Sequence, residues 1–82
     1  MPGGWGVDPQ SATPVYLQVA ARIRERIVSG DLQPDRPIPS ESAIEQEFEV
    51  ARGTARKAIA VLREEGLVIT VKGRGSYVTP AL

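Results

Sequence analysis

Apolar residues recur first at helical spacing and then at strand spacing along the chain. Three segments carry them three or four positions apart, the period of a helix with one buried face. The predicted buried positions are Tyr16, Val19, Ala20, Ile23 and Ile27 in the first segment, Ile44 and Phe48 in the second, and Ala55, Ala58 or Ile59, and Leu62 in the third. The period then changes to two, which predicts a strand over residues 67–71 and a returning strand over residues 76–79.

Capping residues and prolines indicate where these elements begin. Thr13 is the predicted N-cap of the first helix, with Pro14 at its first helical position. Ser40 is the predicted N-cap of the second helix, and the third begins near Arg52. Three prolines before Ser40 exclude a helix and leave room only for a short extended piece around Ile38.

The chain is short enough to form one small domain. Its 82 residues lie within the range of single domains. Residues 1–13 are rich in Gly and Pro and show no apolar period, which predicts a flexible N-terminal arm. We therefore expect a domain over residues 14–79 and a short tail over residues 80–82. Its predicted fold class is mostly α with a small antiparallel β-sheet, formed by three helices and a hairpin.

The residue types that are missing exclude several classes of function. The sequence contains no histidine and no cysteine, so it lacks the commonest general base, the commonest metal ligand and any thiolate. Ser40-Glu41 is the only pair that resembles a nucleophile beside a base, and a helix cap explains it better. We expect no enzyme, no metal and no cofactor. Without a long apolar run or a signal peptide, we expect a cytoplasmic protein associated with the nucleoid.

The net charge of zero conceals a separation of charge along the chain. Residues 37–50 carry four glutamates and no base. Residues 51–82 carry six Lys or Arg against two Glu, a net charge of +4. Because the distribution of charge decides electrostatic binding, the second segment can bind nucleic acid despite the neutral total.

The second and third predicted helices, with the turn over residues 48–51 between them, match a helix-turn-helix, in which Val50 lies beneath the turn. The second helix of such a motif enters the major groove with its N-terminal residues. Here those residues are Arg52, Gly53, Thr54, Arg56 and Lys57. Arg52 and Arg56 are four positions apart and share a face, as a clamp on guanine or phosphate requires.

The predicted hairpin turn carries two cations and two glycines. It consists of Lys72, Gly73, Arg74 and Gly75, and the glycines permit positive φ. A basic hairpin directly after a recognition helix is typical of the wing of a winged helix. Arg74 is the candidate for insertion into the minor groove, where negative potential is concentrated.

Seven short segments occur in a characteristic order between residues 14 and 79. They are Pro14-Val15-Tyr16-Leu17-Gln18-Val19-Ala20, Gly30-Asp31-Leu32, Pro39-Ser40-Glu41, Phe48-Glu49-Val50-Ala51-Arg52, Gly53-Thr54-Ala55-Arg56-Lys57-Ala58, Glu65-Gly66-Leu67-Val68 and Gly73-Arg74-Gly75-Ser76-Tyr77-Val78. Together they resemble the DNA-binding domain of GntR-type bacterial transcription regulators. The resemblance implies a winged helix-turn-helix that binds double-stranded operator DNA as a dimer. It also implies DNA contacts at Ser42, Arg52, Thr54, Arg56, Gly73, Arg74 and Gly75.

The sequence departs from the family pattern at several places. Ser42 stands where the family usually has a basic residue, and Ala51 replaces the usual Ser or Thr cap. Glu49 stands where the turn usually has Gly and would be strained if its φ is positive. Such regulators normally carry a second, larger domain that binds a small molecule. We expect that effector domain to be absent here, in a free-standing domain or a piece of a longer regulator, and the free chain to be largely monomeric.

We expect the chain to repress transcription at a palindromic operator. The alternative is a protein-interaction module, because winged helices can bind proteins through the same helix and the second helix is acidic. Arg52, Arg56 and Arg74 discriminate between the two. One shared face favours DNA, whereas scattered arginines or arginines paired with carboxylates favour a protein partner.

Overall fold

Three helices precede a β-hairpin in the computed structural model, which describes residues 7–80. The elements are α1 (Val15–Val28), α2 (Glu41–Phe48), α3 (Arg52–Glu64), β1 (Val68–Val71) and β2 (Gly75–Val78). This order confirms the predicted fold class. Residues 1–6, with Trp5, and residues 81–82 lie outside the described range. None of the described helices is long and apolar enough to cross a membrane.

The core lies between α1 and α3, with α2 packed against α3. The predicted apolar faces are buried, including both Ala58 and Ile59, while Tyr16 is only half-buried. On the surface, Arg24 of α1 donates two hydrogen bonds to Glu65, which directly follows α3, at 2.8 and 2.7 Å. These bonds raise the pKa of the Arg24 guanidinium and join the two main helices.

The hairpin is extended by a third short segment. β1 and β2 are antiparallel, with Val68 opposite Val78, and both side chains face the core. At the other edge of β2, the Ile38 N–H donates to the Ser76 carbonyl at 3.0 Å and the Val78 N–H donates to the Arg36 carbonyl at 2.8 Å. The extended piece predicted around Ile38 is thus confirmed, and it fixes the hairpin to the helical part.

The start of α1 differs from the prediction by one residue. Pro14 is the N-cap, not the first helical residue, and no side chain caps the helix. The predicted cap, Thr13, contributes its carbonyl instead, which accepts from Gln18 Nε2 at 2.7 Å. Gln18 also bonds both backbone groups of Asp8, at 2.7 and 2.9 Å, and Val7 packs against the core. This amide clasp holds the chain before α1, but it accepts from none of the N–H groups in the first turn of that helix.

Candidate nucleic-acid interface

The turn between α2 and α3 places α3 against the end of α2. Glu49 has φ +57°, which confirms the strained conformation expected where a glycine would be favoured. The Glu45 carbonyl accepts from the N–H of Glu49 and, at 3.1 Å, from that of Val50. Val50 is half-buried and packs on the core, as predicted. The turn is therefore stabilised by backbone hydrogen bonds to the Glu45 carbonyl and by the packing of Val50 on the core.

The two helices begin differently. Ser40 caps α2, since its Oγ accepts from the Ala43 N–H at 3.1 Å. Ala51 is the N-cap of α3 and provides no side-chain bond, as predicted. The exposed start of α3 therefore has N–H groups without a side-chain acceptor from its cap, and these are the groups that bind anions at helix N-termini.

The predicted α3 candidates lie together on the first two turns of that helix. Arg52, Gly53, Arg56 and Lys57 are exposed, and Thr54 is half-buried. A Cβ added to Gly53 would meet no atom within 4 Å, so the backbone there is open to approach. Ser42 is exposed on the first turn of α2.

The four predicted wing residues are also exposed. The turn is closed by the Arg74 N–H, which donates to the Val71 carbonyl at 2.9 Å. Gly73 and Gly75 have φ values of +81° and +116°, as predicted for this turn. Gly75 already pairs with Val71 in the ladder, so the turn is one residue shorter than the sequence indicated.

Arg63 was not predicted to have a role, yet it connects α3 to the wing. Its Nη1 donates to Thr70 Oγ1 at 2.8 Å, and Thr70 Oγ1 lies 3.2 Å from Ser76 Oγ. Thr70 and Ser76 face each other across the hairpin. Each lies two residues from a buried strand position, Val68 or Val78, and therefore on the same face of the hairpin, which was the only sequence signal for this contact. The base of the wing is thereby fixed relative to α3, while its tip is free of this network.

Arg52 and Arg56 pair with carboxylates of α2, which sequence reasoning did not predict. Arg52 Nε lies 3.3 Å from Glu45 Oε2, and Arg56 Nε lies 3.5 Å from Glu41 Oε2. The two glutamates and the two arginines are each four residues apart, so one face of each helix meets the other. The equal spacing of Glu41 and Glu45 and of Arg52 and Arg56 was a signal for these pairs in the sequence.

Within residues 7–80, no cluster of carboxylates suits a metal ion.

Lys57 lies against α1. Its Nζ is 5.6 Å from the centre of the Tyr16 ring, within the range of a cation–π contact. Tyr16 is half-buried, so its ring lies at the edge of the core, where it meets Lys57. The charge of Lys57 has no carboxylate within 4 Å in the described part of the chain.

Residues 15–78 match the model of the family described as bacterial regulatory proteins, gntR family. The chain is 40% identical over 73 residues to the HTH-type transcriptional repressor NagR of Bacillus subtilis, covering 89% of this chain and 30% of NagR. It is 45% identical over 65 residues to the mannosyl-D-glycerate transport/metabolism system repressor MngR of Escherichia coli, covering 79% of this chain and 27% of MngR.

A solved structure shares the fold. The DNA-binding domain of AraR, crystallised in complex with operator ORX1, superimposes with a TM-score of 0.81 at 40% identity. The match covers 88% of this chain and 89% of that domain. By contrast, the chain spans less than a third of the length of the two repressors above. The likeness is therefore to the winged-helix DNA-binding domain of such regulators.

Proposed function

Since the chain belongs to the GntR family of bacterial regulatory proteins, we propose that it binds duplex DNA sequence-specifically and represses transcription at a palindromic operator. One observation carries the proposal. Two arginines stand exposed on one face of α3, in a fold shared with a domain crystallised on its operator. A recognition helix presents its N-terminal side chains to base edges in this way.

The α3 residues have distinct roles in this proposal. Arg52 and Arg56 contact guanine or phosphate, and Thr54 bonds a phosphate or touches a thymine methyl. Gly53 lets a phosphate approach the backbone, which the open space above it permits. Lys57, held near Tyr16, contributes a positive charge beside the groove.

The remaining candidates flank that helix. Ser42 lies at the start of α2 and contacts the DNA backbone, at a position where the family usually has a basic residue. The wing follows with Lys72, Gly73, Arg74 and Gly75, and Arg74 enters the minor groove. The named relatives are transcription regulators and not enzymes, so catalysis is not favoured.

Arg52 and Arg56 are paired with carboxylates, which is a feature expected of a protein-interaction module. Both arginines nevertheless remain mostly exposed, at 63% and 67% of their side-chain surface. Pairs this exposed contribute about 0–1 kcal/mol, so they do not prevent the guanidinium groups from binding DNA. Together with the family membership, this exposure favours DNA over a protein partner. The DNA-bound form is proposed to be a homodimer in the cytoplasm.

The test is the affinity for a duplex selected from random sequences. Arg52→Ala should cost about 1–3 kcal/mol on that duplex, the scale of one bidentate base contact, and Arg56→Ala a similar or smaller amount. Arg22→Ala is the matched control, since Arg22 is an exposed, ion-paired arginine on α1. If neither α3 variant binds more weakly than the control, the recognition-helix assignment is wrong.

A further inference from the structure

The ion pair between Arg52 and Glu45 occupies only one nitrogen of the guanidinium. Nε of Arg52 donates to Glu45 Oε2 at 3.3 Å, and neither terminal nitrogen donates a hydrogen bond to any residue between 7 and 80. Arg24 differs, because Glu65 occupies both its Nε and its Nη2. The Arg24 pair engages one terminal nitrogen together with Nε, whereas both terminal nitrogens of Arg52 are without a hydrogen bond to the described residues.

Glu45 is a fixed point from which to hold an arginine. Its carbonyl closes the turn between α2 and α3 by accepting from Glu49 and Val50. Its side chain is only 29% exposed, against 63% for Arg52. The carboxylate is therefore the better anchored partner, and it limits the directions in which the longer side chain can point.

A guanidinium held at Nε can still bind a base. Its two terminal nitrogens form a planar fork that matches O6 and N7 of guanine, both neutral acceptors. A phosphate is different, because it carries a negative charge that the neighbouring carboxylate repels. The same glutamate therefore favours base contacts by Arg52 and disfavours phosphate contacts by it.

We propose that Glu45 is a positioning residue of the DNA interface, which directs Arg52 to a guanine and away from phosphates and so raises sequence discrimination. This inference rests on the proposed function. Glu45 stays paired with Arg52 in the specific complex. On random DNA the pair contributes repulsion without a compensating base contact.

The experiment measures the ratio of affinities for a selected duplex and for a shuffled duplex of equal length. Glu45→Ala should lower that ratio about three- to fivefold, mainly by strengthening binding to the shuffled duplex. Glu45→Gln should lower it less, because the amide oxygen still accepts from Nε. Glu49→Gln is the matched control: Glu49 lies in the same turn, and within the described residues it has no cation within 4 Å. It should strengthen binding to both duplexes equally.

A second background separates positioning from charge alone. When Arg52 is already Ala, Glu45→Ala should no longer change the ratio. The proposal is overturned if Glu45→Ala behaves like Glu49→Gln, or if it changes the ratio equally without Arg52. If neither Arg52→Ala nor Arg56→Ala lowers the affinity for the selected duplex, the recognition-helix assignment fails as well, so the two failures are distinguishable. Melting curves identify any variant that does not fold, and Glu45→Gln then carries the comparison.

Discussion

At the residue scale, the two N-caps of the helix-turn-helix differ by one hydroxyl group. Both residues have an extended backbone. The Ser40 hydroxyl accepts a hydrogen bond from the Ala43 N–H, whereas the Ala51 methyl group can accept none. Both positions are on the surface, so packing does not decide their preference. The absence of the oxygen at Ala51 leaves α3 less stabilised at its start than α2.

This difference predicts opposite effects at the two caps. Ala51→Ser should stabilise the fold by about 0.5–2 kcal/mol, because its hydroxyl can accept from an unpaired N–H of the first turn of α3. Ser40→Ala should destabilise it by a similar amount. Thermal or urea unfolding measures both. A melting temperature that is unchanged or lower in Ala51→Ser would contradict the role of Ala51 as an uncapped N-cap.

At the element scale, local pattern sufficed for the fold but not for contacts between elements. The helices and the hairpin were predictable because apolar period and capping act within one element. The start of α1 differs by one residue, and Gln18 bonds the backbone of Thr13 and Asp8, a contact that no capping rule includes. The ion pairs of α3 depend on how α2 crosses it. The DNA roles of the candidate residues remain predictions.

The wing divides into a tied base and an open tip, and two arginines test that division. The Arg74 side chain is exposed at the turn, so Arg74→Ala should leave the free energy of unfolding nearly unchanged. Arg63→Ala should reduce it by about 0.5–1.5 kcal/mol, since Arg63 loses its bond to Thr70. Chemical unfolding of the two variants gives the comparison.

The affinity for DNA tests the role of Arg74 in the wing. Arg74→Ala should weaken binding to selected and random duplexes and lower the salt slope by about one unit if it contacts a phosphate. A changed preference at the edge of the site with an intact slope would indicate a base contact. A loss of stability above about 1 kcal/mol in Arg74→Ala would make it a structural residue and refute its role in the wing.

At the scale of the whole molecule, residues 7–80 leave little apolar surface for association. Among the described residues, the exposed large apolar side chains are Leu17, Val28, Ile69 and Val71. They belong to three different parts of the fold: the two ends of α1 and the first strand of the wing. Stable interfaces require a larger continuous patch, so the 82-residue chain should not dimerise tightly by itself.

Sedimentation equilibrium should therefore give a mass near 8.8 kDa at micromolar concentration. A palindromic duplex should bring two copies together, whereas a duplex with a single half-site should bind one. This comparison separates association through DNA from association through protein. A tight dimer in the absence of DNA would contradict the prediction and direct attention to α1.

The pairing of Arg52 with Glu45 also affects the number of protein–DNA contacts that is inferred from the salt dependence of binding. Cations condensed on a duplex leave it in proportion to the positive charge that a protein delivers, about 0.9 per neutralised phosphate. An arginine that arrives with its own carboxylate delivers no net charge and displaces none of these ions. If Arg52 binds DNA in this paired form, the salt dependence of binding should undercount the contacts between protein and DNA, and this contact should weaken less than phosphate contacts as the ionic strength rises.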